Sequence, residues 1–172
     1  MSASPFLDTG PPLPGGRDLV VDELVGLASW LGERPELWRP HVEHDPDRRI
    51  FHRLVHDEHV TVWLICWMPG HDTGFHDHDG SAGAVAVMQG SVREERLTFA
   101  GAPEGRVFGV GEVLRFGPAD IHRVMHAGGE PTVTLHAYSP TLRRMGAYVA
   151  DEQGRLIRHA LDEETELRAA LV

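Results

Sequence analysis

Residues 70–90 read GHDTGFHDHDGSAGAVAVMQG, and at their centre stands His76-Asp77-His78. On a strand, residues two apart point to the same face. His76 and His78 therefore aim two imidazoles at one point inside a barrel. A third imidazole enters at His122, in residues 111–124, GEVLRFGPADIHRV. Gly117-Pro118 just before it marks a turn that starts a new strand. Histidine is the commonest metal ligand. The plainer reading, hydrogen-bonded core histidines, fits poorly with three of them converging among apolar strands.

Working outward, residues 48 to 160 alternate short runs of Val, Ile, Leu and aromatics with Gly, Pro and Asp. The pattern predicts strands at 49–55, 59–67, 83–89, 91–99, 106–109, 112–116, 122–126, 131–138, 145–150 and 155–160. So many short strands without intervening helices point to an all-β sandwich or barrel. Ahead of them, residues 1–17 hold Pro5, Pro11, Pro12, Pro14, Gly10, Gly15 and Gly16, and read as a flexible N-terminal arm. Asp18 is expected to cap a helix over 19–32, ended by Gly32 and Pro35, with Trp30 and Trp38 docking it on the rest. A short closing helix is expected over 162–171, with Asp162 as its cap. Residues 18–172 form one domain in this reading, a length that buries a core without staples.

The net charge is -10, with acidic residues spread along the chain. Such a chain repels phosphate backbones, so nucleic acid is not an expected partner. The Arg48–Arg49 and Arg143–Arg144 pairs do not form a basic patch. No h-region follows a basic start, and the apolar run around Val60–Met68 is too short to span a bilayer. The one cysteine, Cys66, excludes an internal disulfide and reads as a core residue. A cytoplasmic monomer, with no membrane partner, is expected.

The spacing also resembles a known family. Gly70, five residues, His76-x-His78, four residues, Gly83, six residues and Gly90 resemble the first cupin motif. The departure is Gly83, where that motif has Glu. Gly111 and His122 resemble the second motif, with Pro118 displaced and Ala119 for the inner Gly. The resemblance implies a cupin-type β-barrel, that is, a double-stranded β-helix or jelly roll. Without the Glu, the ligand set is three neutral imidazoles, and a divalent ion keeps its charge and an open face. Such a centre suits a thiolate, since coordination deprotonates a thiol of free pKa about 8.5.

Further residues sharpen the resemblance. Cys66-Trp67, Gly70-His71, His76-Asp77-His78, His122-Arg123-Val124 and Thr134-Leu135-His136-Ala137-Tyr138-Ser139-Pro140 resemble cysteine dioxygenase over roughly residues 50–140. The family implies Fe(II) on His76, His78 and His122, dioxygen as co-substrate and a sulfinic acid product. It implies Tyr138 as the active-site tyrosine, oriented by His136. It places Arg53 on the substrate carboxylate, for which a guanidinium is a planar fork. Phe51 stands where the family often has tyrosine, Trp67 matches a family tryptophan, and His71 sits beside the site. Some members carry a cysteine at position 83 that crosslinks to the tyrosine, and Gly83 excludes this here. Gly83 and Phe51 together suggest a wider, less polar pocket. Trp63 reads as core, and His41, His44, His52, His56, His59, His126 and His159 as surface or strand residues.

The carboxylate fork points to a small thiol, with L-cysteine first. Ergothioneine and 3-mercaptopropionate are alternatives with the same chemistry. A metal-binding cupin sensor without turnover is the alternative from another class.

Overall fold

The segment Thr61–Trp67 is buried along its whole length, because both of its faces are covered. Val62, Leu64 and Cys66 face a helix on one side, and Trp63, Ile65 and Trp67 face a second sheet on the other. A strand in this position reads as a continuous apolar run.

The chain is described by a computed structural model over residues 15–98 and 103–162. Among these residues, α1 (Val21–Gly32) and α2 (Pro35–Trp38) are followed by a short 3₁₀ turn at Arg39–His41. The strands are β1 (Ile50–His56), β2 (Thr61–Trp67), β3 (Phe75–Asp77), β4 (Ala82–Gln89), β5 (Ser91–Arg96) and β6 (Glu104–Gly109). Then come β7 (Val113–Phe116), β8 (His122–Ala127), β9 (Thr132–Ser139), β10 (Arg144–Ala150) and β11 (Leu156–Asp162). Two antiparallel sheets form, in the orders β1-β2-β9-β4-β7 and β11-β10-β3-β8-β5-β6. Their inner faces share one apolar core, from Trp63, Val85, Phe116 and Tyr138 on the first sheet to Val92, Val124 and Met145 on the second. This is the barrel that the motif resemblance implies.

Helix α1 lies on the outer face of the first sheet. Leu24, Leu27, Ala28 and Leu31 recur at helical spacing and pack on Val62, Leu64, Ala84, Ala86, Val133 and Leu135. Trp38 is buried in the same cluster and Trp30 packs against it. Cys66 lies in this outer layer, away from the barrel interior, and burial pushes its thiol pKa up. None of the helices among the described residues is long and apolar enough to cross a membrane.

Three expectations change. Asp18 does not cap α1; the helix starts at Val21, and the Glu23 carboxylate accepts the Val20 N–H at 2.9 Å. The nearby Arg17 guanidinium donates to the same carboxylate, which holds it at the helix end. Strand β3 is absent from the predicted strands, because three residues between Gly74 and Gly80 are too few to show a period. Asp162 ends β11 and does not open a helix; the rest of the expected closing helix lies outside the described residues, as does most of the N-terminal arm.

Candidate metal centre

Strand β3 is short, yet it carries the centre of the site, and an ion pair between a buried carboxylate and an exposed guanidinium holds it in place. Asp77, between the two histidines, is 8% exposed. Its carboxylate accepts Arg158 Nε at 2.7 Å, Arg158 Nη2 at 2.9 Å and the Tyr148 hydroxyl at 2.7 Å. Arg158 and Tyr148 come from β11 and β10, so three strands are tied at one carboxylate. The Arg158 guanidinium holds the Asp77 carboxyl well below the usual carboxylate range. Gly146 makes the approach possible: a Cβ there would lie 2.2 Å from Arg158 Nε. Removing one partner of a buried charge leaves the other uncompensated. Arg158→Ala is expected to cost about 2 kcal/mol, a fall in Tm of about 4–8 °C. Thermal unfolding checks this, with Arg158→Lys recovering only part because it loses the fork.

With β3 fixed, His76 sits directly opposite His122 of β8. His78 follows the strand, where Asp79 adopts a φ of 46° and turns the chain back. All three histidines are buried, and one ring nitrogen from each lies within 4.8 Å of the others. His76 Nδ1–H donates to Gly74 O at 3.0 Å, and His122 Nδ1–H donates to Glu94 Oε1 at 2.8 Å. Both bonds leave Nε2 aimed at the shared point. His78 differs: neither of its buried ring nitrogens has a hydrogen-bond partner. Burial holds His76 and His78 well below the ordinary imidazole range, so both rings are neutral. An orphaned buried polar atom costs on the order of 1–3 kcal/mol. A divalent ion fits this donor set: three imidazoles with one ring nitrogen each converging, one ring otherwise unsatisfied.

Glu94 is a site residue that the sequence reading missed. It is 5% exposed and bound by both His122 and Arg96. Although burial opposes it, these two partners hold its carboxyl below the usual range. A carboxylate behind a ligating imidazole fixes the ring's tautomer and orientation. The strand alternation Val92-x-Glu94 places it inward, but an inward acid amid apolar residues carries no signal without His122 in view.

A cavity of about 20 Å³ is lined by two of the three histidines, His76 and His122. That is room for about one water-sized group. Arg49, Thr73, His136 and Tyr138 line it with polar atoms, and Ile65, Val124 and Met145 complete the wall. Tyr138 and His136 share the inner face of β9, as their two-residue spacing requires. Tyr138 OH lies 3.1 Å from His136 Nδ1, and Thr134 Oγ1 lies 2.8 Å from His136 Nε2. Trp67 Nε1–H donates to Thr134 Oγ1 at 2.8 Å. Trp67 thus anchors the far end of this chain, outside the cavity lining. Thr134 belongs to it on the same alternation, although the sequence reading assigned it no role.

Burial, His122 and Arg49 hold the His136 pKa down to about 3. An unfolded imidazole titrates near 6.5. A depressed histidine stabilises the fold fully above that value and loses the contribution as pH falls toward the folded pKa. Between pH 7.5 and 5 the urea midpoint of metal-free protein is expected to fall, and His136→Gln should reduce the drop.

Arg53 and Arg49 are placed differently about this cavity. Arg53 is exposed and its guanidinium lies over the Trp63 ring, 5.3 Å from the centroid. It is not among the residues lining the cavity. Arg49 is: it is 6% exposed, 5.5 Å from the Trp67 centroid, and its charge bears on His76 and His136. Positions 49, 51 and 53 share one strand face, so the face was legible and the depth along it was not. Phe51 is half-buried and packs edge-on against Trp63 at 5.5 Å, also outside the lining. His71 accepts the Met68 N–H at Nδ1 and faces Pro46 O from Nε2, which pins a loop beside the site. The space at Gly83 is not an enlargement of the pocket. The ring of Phe116 fills it, as a Cβ on Gly83 would lie 2.2 Å from Phe116 Cζ.

Comparison with known proteins agrees with this geometry. A family model described as cysteine dioxygenase type I matches residues 16–151. Cysteine dioxygenase type 1 of Bos taurus is 25% identical over 137 residues, covering 73% of this chain and 68% of its own. The Homo sapiens protein of that name is 26% identical over the same share of each chain. Among solved structures, a cupin superfamily protein of Desulfitobacterium hafniense aligns with a TM-score of 0.51 at 17% identity. That alignment covers 62% of this chain and 91% of the other, and it supports the double-stranded β-helix fold.

Proposed function

The chain belongs to the cysteine dioxygenase family, and from that premise we propose that it is an iron-dependent thiol dioxygenase acting on a small carboxylate-bearing thiol, L-cysteine first. The observation that carries the reading is the set of three buried histidines, two of which line a cavity together with Arg49 and Tyr138. The reaction adds one dioxygen to one thiol and gives one sulfinic acid. The sulfur is oxidised, dioxygen is reduced, and both oxygen atoms end on sulfur.

Each group has a task in this reading. His76, His78 and His122 would hold a ferrous ion, which would lower the pKa of a thiol and supply the redox chemistry for dioxygen. Bringing the reactants into one cavity removes much of the entropic barrier. Arg49, in place of Arg53, receives the substrate carboxylate, because it is the buried guanidinium that reaches the cavity. Trp67 is a donor only, and of the two acceptors open to Thr134, His136 Nε2 at 2.8 Å is closer than Ile65 O at 3.4 Å, so in this reading Thr134 turns its hydrogen toward His136. Neutral His136 then carries its proton on Nδ1 and donates it to Tyr138, which donates its own O–H onward. The relay holds the tyrosine in one orientation without a covalent tether. The cavity holds about one water-sized group, so any thiol moves the walls, and cysteine moves them less than the larger ergothioneine.

Oxygen uptake by protein reconstituted anaerobically with ferrous iron tests this against cysteine, 3-mercaptopropionate, cysteamine and ergothioneine. Uptake is expected with cysteine foremost. Uptake with ergothioneine alone moves the substrate, and none with any thiol removes the activity and favours a metal-binding protein without turnover.

A further inference from the structure

We propose that Phe116 is a specificity-determining residue that seals the His78 side of the centre, so that thiols and small anions reach the three histidines only from the side of Arg49 and Met145. The proposal rests on the metal-binding reading above. Its first support is register. Gly83 of β4 stands directly opposite Phe116 of β7 and directly opposite Tyr138 of β9. The three residues form one row across the inner face of the sheet, and the middle one has no side chain. The Phe116 ring is 2% exposed and leans into that gap, so that any side chain at position 83 would meet it.

The second support is what lies on the row. The His78 ring stacks on Phe116 at 4.2 Å with an interplanar angle of 18°, and stands 5.3 Å from Tyr138. His122 is 4.5 Å from the same phenylalanine. Two of the three imidazoles therefore rest on one hydrocarbon ring. The cavity lies on the other side: it touches His76, His122 and Tyr138, while Phe116 and His78 are not in its lining. A benzene face is the negative end of a quadrupole and offers no N–H or O–H. An anion entering there gives up its hydration with nothing in exchange. Arg49 offers the opposite on the cavity side. The wall thus selects a direction of approach, and it is built by Gly83 and Phe116 together.

Formate titrated into cobalt-loaded protein, followed by visible absorption of the metal, tests the wall without using turnover. Phe116→Leu is expected to bind formate about tenfold or more tightly than wild type, because a missing part of a wall is felt at that scale. Phe116→Met, which is flexible and of similar volume, gives a second reading if the leucine variant does not fold. Gly83→Ala is expected to lower Tm, and Gly83→Ala with Phe116→Leu to recover it. Wild-type formate affinity in both Phe116 variants overturns the proposal. A protein that takes up no cobalt overturns the wall and its premise together. Failure of oxygen uptake with iron, alongside the expected formate result, removes only the proposed activity.

Discussion

His78→Leu is expected to reduce thiol-dependent oxygen uptake roughly 10³-fold, equivalent to about 4 kcal/mol, while leaving the metal-free protein as stable as wild type or more so. The two halves of this expectation have one cause. His76 and His122 each hold a hydrogen bond through Nδ1, whereas His78 has no partner on either ring nitrogen. Removing His122 would leave Glu94, a buried carboxylate, with Arg96 as its remaining partner among those above. Removing His78 strands nothing. A leucine fills similar volume against Phe116 and deletes two unsatisfied polar atoms, a change worth up to about 1–3 kcal/mol in favour of folding. A residue that costs the empty fold and serves only a ligand is one retained for function. Urea denaturation of both proteins in chelator, beside iron content and oxygen uptake, reads the two halves separately. A destabilised metal-free His78→Leu with normal iron content would show that the ring serves packing.

Arg49→Ala is expected to lower kcat/KM for cysteine about 10–100-fold, the worth of a charge-assisted hydrogen bond of about 1.5–3 kcal/mol. Arg53→Ala is expected to change it only a few-fold. The contrast follows from burial. Arg49 is 6% exposed and lines the cavity, and Arg53 lies exposed over Trp63. Cysteamine, a thiol without a carboxylate, separates recognition from general damage. Its turnover by Arg49→Ala should match that by wild type, since no carboxylate is lost. Equal losses for both thiols would mean that Arg49 sustains the site in another way. A large loss in Arg53→Ala alone would restore the assignment drawn from the motif.

The difference between these arginines shows where the sequence was legible. His76 and His78 were legible because spacing along a strand is local, His122 through the second motif, and the fold class because strand alternation is local too. Tyr138, His136 and Thr134 share a face for the same reason. The carboxylate partner proposed above, Arg49, was not legible. The register of β1 against β2 shifts between Arg53 and Val55, and the short β1–β2 loop left the motif free to slide. Choosing between Arg49 and Arg53 requires knowing how deep each lies in the barrel. Glu94 and Phe116 were hidden for a related reason. Each acts through a residue on another strand, His122 and Gly83 respectively, and one strand's pattern does not display its neighbours. Gly83 alone suggested added space; the strand opposite supplies the ring that takes it.

The central claim is that this barrel joins both atoms of dioxygen to one thiol sulfur. Labelled dioxygen, ¹⁸O₂, supplied to the iron-loaded protein with cysteine, followed by mass spectrometry of the product, tests it most directly. The account predicts a sulfinic acid carrying two labelled oxygens, with none taken from water. A disulfide as the only product, or a sulfinic acid with oxygen from water, would contradict it.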